Sequence, residues 1–342
     1  MIRRLGSPSD CNSRFVTSMK KQEVRRPFYR AVKASAVQVS RLEYYAPAWY
    51  PHRLTAIEVL GSTMTRIDQF ESVFRSAAKH HYEDGALDIL RVFVFTDGES
   101  EAGDVFVDML KGFLGELPSF QQIKWTAFHG SSDSIAHMLK AIQDGKPDLI
   151  CTYRNLYGAD AQWAYTLGDH VEVLTQVTDV PVLLMPRMAP EGPPVDTARV
   201  MAVTDHLTGD HRLVRFAAGF TRRSGSLFLA HVEDDSVFER YMAAIGKIPE
   251  IDTEMASELI RERLLRDAQD YVKSCQSVLS DRHLTVISRV LWGHRLNVYQ
   301  ELIRRDEIGL VVMNTKDEDQ LAMHGLAYPL AVEFNKTPLL LL

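Results

Sequence analysis

"TDVPVLLM", residues 178–185, and "NKTPLLLL", residues 335–342, are two versions of one pattern: polar residues, a proline, then a short apolar run. Proline cannot extend a helix and has no N–H to give to a ladder, so each run starts as a strand that leaves a turn. Four residues that are apolar on both faces fit a parallel strand covered by helices on each side. The likeness continues upstream without a gap. Gly168 stands 13 residues before Pro181 and Gly325 stands 13 before Pro338, so "GDHVEVLTQVTDVPVLLM" and "GLAYPLAVEFNKTPLLLL" superpose as helix, turn and buried strand. Earlier still, "DLICTYRN" (148–155) matches "GLVVMNTK" (309–316). "IKWTAFHG", ending at Gly130, matches "LTVISRVLWG", ending at Gly293.

The chain therefore reads as two copies of one unit of about 140 residues. In the second copy the order is strand "RVMAVTD" (199–205), a helix near 209–223, strand "SLFLAHVED", a long helix near 253–279, and then the pairs above. In the first copy, "LTAIEVL" (54–60), a helix near 66–82 and "DILRVFVFT" (88–96) fill the matching slots, followed by a shorter helix near 103–116. "FTDGES" (95–100) is placed at the end of the second strand, because too few residues separate it from "IKWTAFHG" for a helix, a strand and another helix. The expected division is a basic extension at 1–49, a first α/β domain at 50–188, a Pro-rich linker at 189–197 and a second α/β domain at 198–342. Each domain is expected to be a doubly wound, Rossmann-like sheet of five parallel strands.

Composition narrows the function. Of the 342 residues, 46% are hydrophobic and 25% charged, and no apolar run approaches the ~20 residues that span a bilayer. A net charge of -6 argues against a nucleic-acid partner, whose phosphates select a basic surface. Cys11, Cys151 and Cys275 form no CxxC pair, which fits a reducing cytoplasm and no metal site. The histidines show no HExxH spacing, and no GxSxG elbow, Walker A loop or GxGxxG occurs, so no common enzyme class is indicated. Residues 1–45 carry ten basic residues against Asp10, Glu23 and Glu43, a composition shared by transit peptides and frayed basic extensions. "ELIRERLLRDAQDYV" (258–272) has mixed charge at helical spacing and reads as the solvated face of the long helix.

Two units of this order, each closing with helix, turn, proline and apolar strand, resemble the universal stress protein family in its tandem, two-domain form. The resemblance covers residues 50–342 and is strongest in the last third of each copy and in "AVTD" (202–205). It implies an adenine nucleotide alpha hydrolase-like fold in which Val182–Met185 and Leu339–Leu342 pair with each other as an internal pseudo-dimer, removing two apolar sheet edges from water. It also implies a cytoplasmic, non-enzymatic role in stress response. A homodimer is a further expected association.

Nucleotide-binding members of the family carry G-2x-G-9x-G-S/T after the fourth strand, where glycines let the backbone and a helix N-terminus meet phosphates. Here only the last glycine of each loop remains. In the second copy Asn314 replaces the first glycine, Asp317 the second, and the loop is two residues short. In the first copy Tyr153 and Leu156 take those places and the loop is two residues longer than the family pattern. No cofactor is expected from such loops. The alternative is an ATP or AMP sensor in the second copy, using Thr204, Asp205, Gly293, Asn314, Thr315 and Gly325. Weaker candidates in the first copy are Gly130, Arg154 and Gly168.

Overall fold

The computed structural model describes residues 80–117, 119–130, 134–158, 166–187, 196–204, 207–249, 251–315 and 327–342. The basic extension, the strand expected at 54–60 and most of the linker lie outside these residues, as do Asp205 and Gly325.

The first half contributes β1 (Arg91–Phe95), α1 (Ser100–Phe113), β2 (Lys124–Phe128), α2 (Ile135–Gly145), β3 (Leu149–Tyr153), α3 (Asp169–Val177) and β4 (Val182–Met185). The second contributes β5 (Arg199–Thr204), α4 (His211–Phe220), β6 (Ser226–Glu233), α5 (Asp235–Ile245), α6 (Thr253–Leu279), β7 (Thr285–Trp292), α7 (Arg295–Arg305), β8 (Leu310–Met313), α8 (Ala327–Glu333) and β9 (Leu339–Leu341). Three helices, α4, α5 and α6, begin where the sequence places a side-chain acceptor for free N–H groups. Asp210 accepts from Leu213 N, Asp234 from Ser236 N and Val237 N, and Asp252 from Met255 N. The α1 helix turns Phe106, Val107, Leu110 and Phe113 onto the sheet, a spacing of three to four residues that gives one apolar face.

All nine described strands lie in one sheet, ordered β2-β1-β3-β4-β9-β8-β5-β6-β7. Every neighbouring pair is parallel except β4 and β9, which run antiparallel with Val182 opposite Leu341, Leu183 opposite Leu340 and Leu184 opposite Leu339. On its other side β9 is parallel to β8. The leucine run at the chain end is therefore an interior strand, and Leu339, Leu340 and Leu341 are buried. Leu342 extends the ladder by one residue: its N–H donates to Met313 O, and its carbonyl accepts from Thr315 N and Thr315 Oγ1.

The structure corrects two expectations. Two five-stranded sheets adjoining through the last strand of each were expected, and the described strands form one continuous sheet with four strands from the first half and five from the second. The reading of "FTDGES" also changes. β1 lies between β2 and β3, pairing Val92 with Leu149, just as β5 lies between β6 and β8, pairing Val200 with Leu310. Thr96 and Asp97 thus end the strand that corresponds to β5, so they match Thr204 and Asp205. The shortage of residues before "IKWTAFHG" reflects a half that runs from β2 through α2 straight into β3, with one strand fewer than the second half among the described residues. Gly130 accordingly follows the second, not the third, described strand of its half.

Candidate functional site

In an open parallel sheet, ligands lie beyond the carboxyl ends of the strands, where the strand order reverses direction. That point falls between β1 and β3 in the first half and between β5 and β8 in the second. Each crevice is crossed by a hydrogen bond from the tip of the later strand to the residues that follow the earlier one.

In the first half the crossing residue is Tyr153, the last of β3. Its hydroxyl donates to Asp97 Oδ1 and accepts from Asp97 N at 2.9 Å, with Thr96 Oγ1 at 3.0 Å. The other carboxylate oxygen of Asp97 accepts from Tyr157 N at 3.1 Å and from Arg187 Nη2 at 3.3 Å. Arg187 also donates to Asn155 O and lies 5.7 Å from the centre of the Tyr153 ring, whose other side meets Phe106 edge-on. Burial, followed by the bond to Asp97, raises the pKa of Tyr153, so the hydroxyl stays protonated and can donate. The Tyr153 side chain thus bridges this crevice from the tip of β3 to the end of β1.

In the second half Asn314, just past β8, donates through Nδ2 to Asp210 Oδ2 at 2.5 Å, while Asp210 Oδ1 caps α4. The Tyr299 hydroxyl bridges Val232 N and Thr204 O. Thr315 is committed to Leu342 as described above. Asn314 and Thr315, which only the nucleotide-sensor alternative turns to a ligand, bond instead to the N-terminus of α4 and to the final strand. Thr204 is buried at the end of β5.

The glycines have conformational reasons to be glycine. Gly168 has φ +90° at the start of α3, and a Cβ there would lie 2.7 Å from Asn155 Cα. Gly293 has φ +149°, and a Cβ would lie 2.8 Å from Val298 Cγ2. Gly130 has φ +107° with open space around it.

Arg154 does not point into the crevice of its own half. It is buried, and its Nη2 donates to Phe334 O at 2.9 Å across the join, where α8 of the second half has just ended. The negative end of that helix favours a cation. No carboxylate is paired with Arg154 among the described residues, and burial alone pushes its pKa down to about 10. A second contact across the join runs from Tyr328 Oη to Glu172 Oε1 at 2.9 Å.

The sequence did not single out Asp97, Arg187 or Asp210. For Asp97 a signal existed, since "FTD" (95–97) repeats "VTD" (203–205). For Asp210 and Arg187 none did, because their roles depend on which loops meet across the strand tips.

Asp210 yields a test with a defined sign. Burial raises its pKa above the unfolded value, and the bonds from Leu213 N and Asn314 only partly offset this. A raised carboxyl pKa means that the folded protein binds the proton more tightly. The penalty of burying the charge is thus fully present at neutral pH and fades as pH falls through the folded pKa. Asp210→Asn is expected to shift the melting temperature more favourably at pH 7 than at pH 4. An equal shift at both, measured by calorimetry, would contradict a buried ionised carboxylate.

These observations define a doubly wound α/β protein with two strand-tip crevices, each bridged by its own side chains. No family model matches the sequence, and no curated protein matches it. Similar solved structures include a functionally unknown protein from Pseudomonas aeruginosa PAO1, 14% identical, covering 74% of this chain and 92% of that one with a TM-score of 0.45. Another is a putative universal stress protein from Pseudomonas aeruginosa UCBPP-PA14, 14% identical over 74% and 93% of the two chains, with a TM-score of 0.44. A universal stress protein from Archaeoglobus fulgidus DSM 4304 is 13% identical over 74% and 85%, with a TM-score of 0.42. Among the described residues, no helix is long and apolar enough to cross a membrane.

Proposed function

We propose that this chain is a non-enzymatic universal stress protein of the tandem kind, acting in the cytoplasm through its surfaces, with neither crevice holding a nucleotide tightly. The duplicated helix, turn, proline and strand ending, the strand order of the second half and the β4–β9 pairing support a pseudo-dimeric arrangement of two related halves. The observation that carries the functional reading is the pair of internal bridges, Tyr153 to Asp97 and Asn314 to Asp210. A nucleotide entering there would have to displace one of them, and each displaced bond leaves half-buried polar groups short of a partner, at up to about 1–3 kcal/mol.

Thermal denaturation with ATP or AMP tests this. The expected result is no resolvable shift at millimolar nucleotide. A site whose Kd lies a hundredfold below the nucleotide concentration would add about 2.7 kcal/mol of stability. That corresponds to roughly 5–10 °C for a domain of this size. A shift of that size, lost in Asp205→Ala, would replace this reading with the adenine-nucleotide sensor.

A further inference from the structure

Residues 80–90 belong to the first half by sequence but lie on the second. They have no regular secondary structure and lead directly into β1. The Tyr82 ring is buried, its N–H donates to Ser274 Oγ of α6 at 2.8 Å, and its hydroxyl donates to Asp84 Oδ1 at 3.0 Å. Asp84 is paired with Arg282 at 2.6 Å, and Arg282 Nη2 also donates to Gly85 O at 3.3 Å. Leu87 lies so close to α4 that a Cβ on Gly219 would collide with it, and the lack of a side chain at Gly85 makes room for the Arg215 guanidinium. One buried ring and a few polar bonds thus hold a strap of the first half on α4 and α6. A segment held by so few contacts is of the kind that opens locally.

One of these bonds fixes a protonation state. The Glu83 N–H donates to Nδ1 of His211, the first residue of α4, at 3.3 Å. A backbone N–H can only donate, so Nδ1 carries a lone pair and the imidazole is neutral, with its proton on Nε2. The Tyr271 hydroxyl, 3.0 Å from the same nitrogen, must then donate as well, and burial keeps the proton on it. A proton on Nδ1 would reverse both bonds. Tyr271 can turn and accept, but the Glu83 N–H cannot, and two N–H groups would face each other. The added charge finds little compensation. On the strap, the Asp84 carboxylate is taken by Arg282 and Tyr82, and that of Glu83 is exposed. Beside His211, Asp210 already accepts from Leu213 N and Asn314, and the cations Arg212 and Arg215 follow on α4. On α6, the Cys275 thiol, pushed up to about 12 by burial, stays neutral. Docking of the strap and protonation of Nδ1 therefore oppose each other. The open strap binds more protons, so docking is favoured at high pH and lost as pH falls.

We propose that residues 82–87 form a pH-sensitive latch on α4 and α6, closed through His211 while the imidazole is neutral and opened when it takes a proton, in the range of about pH 5–8 where imidazoles titrate. The latch does not depend on whether either crevice holds a nucleotide. Hydrogen exchange of the full chain, followed by mass spectrometry at pH 7.5 and pH 5.5 and corrected for the intrinsic rate at each, tests it. Protection of the Tyr82 and Glu83 amides, both bonded to the second half, is expected to fall by about three- to tenfold at the lower pH. The amides of β5 and β6 should keep theirs. His211→Gln supplies a neutral acceptor at both pH values and should abolish the difference. His211→Lys, a standing cation, should leave the strap open at both. Asp210→Asn should retain the wild-type response, which separates His211 from the neighbouring carboxyl that burial also makes easier to protonate. A wild-type strap equally protected at the two pH values, a response that survives His211→Gln, or one that disappears in Asp210→Asn would each overturn the proposal.

Discussion

A chain that ends at Pro338 is expected not to reach the native fold. Leu339–Leu341, extended by Leu342, form the strand of the second half that joins it to the first, with β4 on one side and β8 on the other. Their removal strips two ladders at once and uncovers Val182–Met185 and Leu310–Met313, all buried in the intact chain. At about 1.5–3 kcal/mol per buried leucine the four side chains alone represent about 6–12 kcal/mol. The whole stability of an ordinary domain is about 5–15 kcal/mol. Two newly exposed apolar edges would also promote aggregation. A graded version is Leu340→Ala, which should cost about 2–5 kcal/mol through lost burial and the cavity left behind. Urea unfolding followed by circular dichroism measures both. A truncated chain that unfolds cooperatively within about 2 kcal/mol of the intact one would show that the final strand is dispensable.

The next largest effect is expected at Tyr153. Replacing it with alanine empties a site packed by Phe106 and Arg187 and should cost about 3–5 kcal/mol, as for other large buried rings. Tyr153→Phe isolates the hydroxyl. The ring stays, but Thr96, Asp97 N and the Asp97 carboxylate each lose a partner, for an expected cost of about 1–3 kcal/mol. If the bond to the carboxylate dominates, Asp97→Ala and Tyr153→Phe should couple by about 0.5–3 kcal/mol in a double-mutant cycle. Strict additivity would mean that Tyr153 only fills space there. The distinction matters because the same side chain stands where an open, glycine-lined crevice would be.

Much of the second half was legible in the sequence. Its strands read as apolar runs in β-branched residues and leucine, and α6 was placed from its helical spacing between Asp252 and Leu279. The first half was misread at one point. "FTDGES" was assigned to a second strand by counting elements against a full five-stranded copy, whereas the match between "FTD" and "VTD" was the better guide to position. Asn314 and Thr315 were correctly placed at a strand tip, but which partner takes a polar side chain at a tip depends on loops distant in sequence. Asp210 comes from before α4 and the Leu342 carbonyl from the chain end. Periodicity shows that a helix has faces, but only packing shows which face the sheet covers.

The sequence by itself determined that this chain alternates strands and helices, and that its two proline-led apolar runs had to be buried. Both follow from local chemistry, since alternation, turn residues and hydrophobicity act over a few neighbours. Only the tertiary structure decided that β4 and β9 join antiparallel, that Arg154 caps a helix of the other half, and that Tyr153 and Asn314 each bridge a crevice. Those contacts join residues as much as 180 positions apart. Their partners are chosen by the geometry of the assembled sheet, which no stretch of sequence contains alone.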